Sequence, residues 1–279
     1  MRVGMNPNRT SQADKYLPVA LAVVTYLPNM QGYHAKRLEI IKLCLESMRK
    51  FAGVEHTFIV WDSGSCGELV DWLEYEFRPD ILIKSNINIG KNSSRSSIVR
   101  MLPPETIVAC SDDDILYYPD WLRPQIELLE HFPNVAAVTG YPVRTSFRWG
   151  NEKTMKWAKK NASIERGKFL PEEWERDFAV SIGRDPDAHM SATETELDTV
   201  ITYNGKSAYA TSHHCQFIGK AGTVAKASLF DGMAMGDEKP FDIAMDNIGL
   251  RLATTQRLAR HMGNFIDDKL REEITRLKI

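Results

Sequence analysis

Residues 112–114 are three consecutive aspartates, and the apolar, β-branched run TIVAC at 106–110 leads into them through Ser111. Carboxylates this close repel one another unless a cation or hydrogen-bond donors compensate. A hard divalent ion with oxygen ligands, Mg²⁺ or Mn²⁺, is the natural compensator, and it keeps open positions that substrate phosphate oxygens can fill. The alternative is a solvated acidic turn that caps the next helix. Pro119 and Asp120 fit such a helix start, with Asp120 as the cap. The fully apolar run in front of the triplet favours the metal site.

A run without polar alternation suits a strand buried on both faces of a parallel sheet. The carboxylates then sit at its C-terminal end, the edge at which open α/β sheets bind ligands. Residues 19–24 (VALAVV) form a first buried strand and deliver Thr25, Tyr26 and Pro28 to the same edge. A helix opening near His34 carries Leu38, Ile41, Leu45, Met48 and Phe51 at the 3.6-residue period and stops at Gly53. Residues 57–61 (TFIVW) are a second strand, ending in Asp62, Ser63, Gly64 and Ser65. The helix after it packs through Leu69, Val70, Leu73 and Phe77. Residues 81–84 are a third strand, and a turn around Asn88 and Gly90 opens a helix carrying Lys91 and Arg95. Beyond the aspartates, a helix through Ile126 and Leu129 leads to a strand at 135–138. This alternation predicts an α/β fold with a doubly wound, mostly parallel sheet.

After Pro142 the regularity fails. Residues 143–207 are rich in Lys, Glu and Asp, with tryptophans at 149, 157 and 174, and are expected to form a second layer or a substrate-binding insertion. Their basic cluster, Lys153, Lys156, Lys159 and Lys160, reads first as a solvated helix face, with contact to a phosphate-bearing acceptor as the minority alternative. Asn204 and Gly205 predict a hairpin-like turn, followed by a strand at 215–219 just after His213 and His214. A Gly- and Met-rich loop at 232–236 leads to residues 242–258, predicted helical with Ile243, Met245, Ile248 and Leu252 on one side. Residues 265–279 read as a charged amphipathic helix, and residues 1–16 as a polar arm.

With 279 residues, 43% hydrophobic and 26% charged, the chain has ordinary globular composition. Its net charge of −2 gives no global reason to bind nucleic acid or an anionic membrane. Cys44, Cys66, Cys110 and Cys215 show no CxxC spacing and read as free thiols of a reducing compartment. The pair His213–His214 with Cys215 lacks a zinc-site partner motif elsewhere. No apolar stretch approaches the ~20 residues of a spanning helix, and no signal-peptide pattern is present. The expectation is a cytoplasmic protein.

Four landmarks occur in order, each at a strand end or in the loop after it: VVTYLP, VWDSGS, NINIGKNSSRS and CSDDDILYYPDWL. Singly each is common, but together on this topology they resemble the GT-A glycosyltransferases, in particular the family 2 nucleotide-sugar transferases. The resemblance runs from about residue 19 to 263 and is strongest before Pro142. It implies one GT-A (Rossmann-like) domain with a smaller acceptor-side subregion. Residues 17–142 would be the nucleotide-sugar-binding half, 143–207 the acceptor-side insertion, 208–264 the catalytic and acceptor half, and 265–279 a C-terminal helix.

Carried over residue by residue, the resemblance makes Thr25 and Tyr26 a wall around the base. Asp62 becomes an acceptor of hydrogen bonds from base or ribose, since a carboxylate accepts without donating; capping the next helix is its alternative role. The Asn88–Gly90 turn and Lys91 join the donor site, and Arg95 faces the diphosphate with a bidentate guanidinium. Asp112 and Asp114 take the D-x-D role of ribose contact and metal coordination, shared with Asp113. His261 would serve the metal or the leaving phosphates, a task His213 or His214 could also perform. Inverting relatives use a carboxylate base from an E-D pair ahead of an R-L. The matching stretch is MDNIGLRL, which implicates Asp246, although Met245 replaces the first acid and the spacing to Arg251 is one residue short. Asp237, Glu238 and Asp242 are alternatives.

The activity implied is metal-dependent transfer of a sugar from a UDP- or GDP-sugar to an acceptor hydroxyl. Two other classes compete with it. A nucleotidyltransferase of related fold would release pyrophosphate and usually carries a Gly-rich, basic signature near the first strand, which TYLPNMQGYH lacks. A nucleotide-sugar or glycan-binding module would bind without turnover.

Overall fold

The computed structural model describes residues 17–227, 233 and 238–279. The expected arm at 1–16, most of the Gly- and Met-rich loop, and Asp237 lie outside the described residues.

Twelve strands are formed among the described residues: β1 (Val19–Thr25), β2 (Thr57–Ser63), β3 (Ile81–Ser85), β4 (Ile107–Ser111), β5 (Ile115–Tyr117), β6 (Val135–Thr139), β7 (Ser163–Gly167), β8 (Asp198–Tyr203), β9 (Lys206–Tyr209), β10 (Gln216–Lys220), β11 (Leu250–Ala253) and β12 (Ala259–His261). Ten of them make one sheet in the order β3-β2-β1-β4-β10-β6-β11-β9-β8-β7. The first four run parallel, so the C-terminal ends of β1, β2 and β4 share an edge. Alternation along β1 explains why helices cover both faces. Leu21 and Val23 pack with Ile40, Ile41, Leu45 and Met48 of the helix Arg37–Lys50, while Ala20 and Ala22 pack with Ile98 and Val99 of the helix Lys91–Met101.

Strand β10 runs antiparallel between β4 and β6. It carries the preceding turn to the acid triplet, where Asp112 N donates to Cys215 O at 2.7 Å. Residues 143–207 add β7 and β8, which with β9 extend the same sheet as an antiparallel meander, joined by a left-handed turn at Asn204 and Gly205 as expected. The four lysines at 153, 156, 159 and 160 are exposed on the helix Glu152–Asn161, with Lys153 Nζ donating to Asn247 O at 2.7 Å. A separate two-stranded sheet, β5 with β12, sets His261 opposite Ile115, immediately after the aspartates. All four cysteines are free. Among the described residues no helix is long and apolar enough to cross a membrane.

Two local expectations are corrected. The helix predicted over 242–258 is the helix Glu238–Ile248 followed by strand β11. Its apolar period continues through Leu252, but Leu250 N donates to Asn134 O and the entirely buried LRLA pairs with β6. The break falls at Gly249, where a Cβ would sit 2.3 Å from Asn134 O. Asp120 does not cap a helix. The next helix starts at Arg123 with Leu122 at its N-cap. The turn that buries Trp121, whose indole N–H donates to Met48 O at 3.0 Å, leaves Asp120 in a left-handed conformation beside Arg123.

Because the atom facing Gly249 is backbone, it cannot swing aside. Gly249→Ala should therefore destabilise the protein by about 1–3 kcal/mol, the usual cost of overpacking, read as a lower urea midpoint at unchanged slope.

Candidate active site

The three aspartates stand at the end of β4, and each is answered by a cation from another element. Asp112 Oδ1 accepts from Arg95 Nη2 at 3.0 Å and its Oδ2 from Lys91 Nζ at 3.2 Å. Asp113 pairs with Arg37 Nη2, while Arg37 Nη1 reaches Asp114 Oδ2 at 3.1 Å and Asn264 Oδ1 at 3.2 Å. His261 Nε2 lies 3.4 Å from that same Asp114 oxygen. Asp114 Oδ1 is buried without a hydrogen-bond partner among the described residues.

These environments set the charges. Burial favours a neutral Asp114, but the imidazole of His261 and the Arg37 guanidinium outweigh it and hold the carboxyl well below the usual range. Burial wins at Asp113, whose pKa is raised despite Arg37. Burial opposes the His261 imidazolium, yet the Asp114 carboxylate raises its pKa. Lys91 is likewise raised, because Asp112 and Glu238 outweigh its desolvation.

Lys91 and Arg95 lie on the helix that opens at the Asn88–Gly90 turn. Asn88 Oδ1 folds the turn by accepting from Gly90 N at 2.8 Å and from Ser63 Oγ at 3.2 Å. Both cations meet a second carboxylate: Glu238 pairs with Lys91 and lies 3.7 Å from Arg95 Nη1. The cavity in front of the triplet is lined by Tyr26, Tyr33, His34 and Asn88 as well as by Arg37, Lys91 and the aspartates. It holds about 150 Å³, less than the roughly 300–1,000 Å³ of most small-molecule sites.

Most residues expected at the donor site do converge on this edge. Thr25 is fully buried and donates to Asp62 Oδ1 at 3.2 Å; Asp62 Oδ2 accepts from Ser65 N at 3.1 Å. Asp62 therefore organises the loop after β2 without capping the next helix, whose N-cap is Cys66. Tyr26 projects into the cavity wall, 38% exposed.

The second half departs further from expectation. Asp246 is buried and accepts from Lys153 N at 2.8 Å, Thr154 N at 3.1 Å and Thr154 Oγ1 at 2.9 Å. Its carboxylate thus caps the helix Glu152–Asn161, the arrangement in which a short acid satisfies unpaired N–H groups. Asp242 Oδ1 takes the fully buried Arg251 Nη2 at 2.6 Å, and its Oδ2 meets His214 Nδ1 at 2.9 Å. The turn before β10 brings the ligand atoms of His213, His214 and Cys215 within 4.8 Å of one another. His214 is engaged by Asp242, however, and burial pushes the Cys215 thiol well up, against the thiolate a cation would need, a poor setting for a separate cation. Burial drives the His213 pKa well down.

Arg37, Tyr33 and His34 escaped the sequence. Arg37 occupies an ordinary polar position of an amphipathic helix, and its partners are 76 and 77 residues away. Tyr33 and His34 form a short 3-10 turn before that helix, with no motif of their own.

The sequence matches the family model described as glycosyl transferase family 2 over residues 33–185. No curated protein sequence matches. Among solved structures, that of GalNAc-T7 with UDP, GalNAc and Mn²⁺ aligns at 12% identity over 90% of this chain and 44% of its own, with a TM-score of 0.52. The mannosyltransferase PcManGT from Pyrobaculum calidifontis, with GDP-Man and Mn²⁺, aligns at 21% identity over 47% of this chain and 37% of its own, with a TM-score of 0.37. TarS 1-349 from S. aureus with UDP-GlcNAc aligns at 17% identity over 43% of this chain and 33% of its own, with a TM-score of 0.34. The chain thus spans less than half the length of each. The family model covers more than half of the chain, and the fold agrees with it: this protein belongs to glycosyl transferase family 2 and has the GT-A fold.

Proposed function

We propose that this chain transfers a sugar from a nucleoside diphosphate donor, a UDP- or GDP-sugar, to an acceptor hydroxyl with the help of a divalent cation. The observation that carries the proposal is the Asp114 carboxylate at the C-terminal sheet edge, with one buried oxygen unpartnered and an imidazole beside the other. An acid-rich donor set with an orphaned oxygen fits Mn²⁺ or Mg²⁺. Asp112, Asp114 and His261 would hold the ion. Bound there, it would stabilise negative charge on the departing diphosphate.

Tyr26 and Tyr33 offer aromatic surface for the base, and Asp62, buried at the end of β2 and bonded to Thr25 and Ser65, would have to turn an oxygen outward to accept from base or ribose. Lys91 and Arg95 receive the diphosphate in this proposal. Glu238 then has to yield them, because it occupies the same cations as a phosphate group would. A cavity too small for a nucleotide sugar is consistent with that exchange. For the base, Asp246 would have to leave its cap. The alternative is the Asp242–His214 pair, in which Asp242 holds Nδ1 and leaves Nε2 free to accept a proton. A binding module without turnover is the second reading, favoured specifically by the commitment of Asp246 to the helix end.

Thermal-shift and calorimetric titration with UDP- and GDP-sugars, with Mn²⁺, Mg²⁺ or chelator, tests the proposal. Wild type should gain about 2.7 kcal/mol of apparent stability at a hundred times the Kd. Asp112→Asn and Asp114→Asn should stay folded and lose the divalent-dependent part; undiminished binding in both sinks the metal role. Glu238→Gln should tighten UDP or GDP about tenfold, roughly 1.4 kcal/mol, whereas weaker binding would make Glu238 a donor ligand. In a turnover assay with a supplied acceptor or water, His214→Ala should lose sugar transfer at preserved donor affinity. Asp246→Asn should chiefly lower stability. Wild-type binding without any turnover selects the binding-module reading.

A further inference from the structure

The helix Glu172–Ser181 connects the region expected on the acceptor side to the acid cluster. Its last residue, Ser181, donates its hydroxyl hydrogen to Phe178 O at 2.7 Å. A serine hydroxyl has one hydrogen. With its hydrogen on Phe178 O, the Ser181 oxygen, 2.8 Å from His261 Nδ1, is placed to accept from an Nδ1–H, in the charged ring and in the neutral ring once Nε2 gives up its proton. The other ring nitrogen, Nε2, is the one that faces Asp114. Phe178 stands edge-on to the same imidazole at 6.3 Å between centroids and restricts its rotation. Gly263 lets the helix end seat this closely: at φ +69, its Cβ would fall 1.9 Å from Ser181 O.

We propose that Ser181 is a positioning residue that fixes His261 as the Nδ1–H tautomer and leaves Nε2 as the nitrogen available to a divalent cation beside Asp114. The cation part rests on the function proposed above; the tautomer part rests on hydrogen bonds of this chain alone. The physical expectation is general: a histidine that ligates a metal is held by a partner on its other nitrogen, and loss of that partner weakens binding about ten- to hundredfold. Ser181 would be that partner, so the region 143–207 would contribute to the cation site without touching the ion.

Two readouts test this on the whole chain. Long-range ¹H–¹⁵N correlation spectra of metal-free protein, in buffer alkaline enough to neutralise the imidazole, report the tautomer, with His261→Gln assigning the signal. Mn²⁺ affinity is followed by electron paramagnetic resonance. The Nδ1–H form is expected in wild type and in Ser181→Thr, which keeps the hydroxyl. Ser181→Ala should give mixed tautomers and about ten- to hundredfold weaker Mn²⁺ binding. Ser181→Ala that retains the Nδ1–H signal overturns the proposal, even if it unfolds at a lower temperature, because a merely structural serine would behave so. Altered tautomers with unchanged Mn²⁺ affinity overturn the cation part. Wild type that binds no Mn²⁺ overturns the metal reading together with that part, while the spectra still decide the serine's role.

Discussion

Electrostatic compensation of Asp112, Asp113 and Asp114 is the constraint around which the molecule is arranged. Three adjacent carboxylates at a buried sheet edge are intolerable alone, since the effective penalty for each desolvated ion is several kcal/mol. The fold answers with Arg37 from the first helix, Lys91 and Arg95 from the third strand's following helix, and His261 from a strand near the end of the chain. Each brings its element to the C-terminal ends of the parallel strands. Among the described residues, Asp114 Oδ1 is the one oxygen of the triplet left buried without a hydrogen-bond partner.

Balance of this kind makes the site responsive as well as stable. Lys91 and Arg95 are shared between Asp112 and Glu238, so each cation keeps one carboxylate partner if the other moves away. Both cations are oriented in this way beforehand, which under the function proposed above would lower the ordering cost of a diphosphate. The same logic separates Asp246 from Asp242, two acids on one helix with different duties. One satisfies the N–H groups of a neighbouring helix; the other neutralises the fully buried Arg251 and orients His214.

Residues 17–142 were readable because their signals are local. Buried strands of β-branched residues, turns at Asn88 and Gly90, and acids at strand ends follow from short windows of sequence, and Lys91 and Arg95 fell where their helix predicted. Arg37 was not readable, because nothing in a window around it tells a solvated arginine from one that reaches aspartates far along the chain. The break at Gly249 was hidden for a related reason. The apolar period that marks a helix continues into β11, and only the approach of Asn134 forces the change. Asp246 illustrates the limit of motif transfer: the residue type was suitable, but its partners Lys153 and Thr154 lie over 90 residues away and appear only in three dimensions.

The short pairing of β5 with β12 has a kinetic consequence. His261 comes opposite Ile115, Met262 N binds Asp114 O at 2.8 Å, and Arg37 bonds Asn264 across 227 residues of chain. These closures span from about half to most of the chain, and their entropy must be lost before the contacts repay it. During synthesis the parallel strands β1 to β4 emerge first. Their acid cluster then waits, short of one counter-charge, until residues 259–264 leave the ribosome and dock. The charge balance of the triplet is therefore completed late, by a strand that has to return to the end of β4.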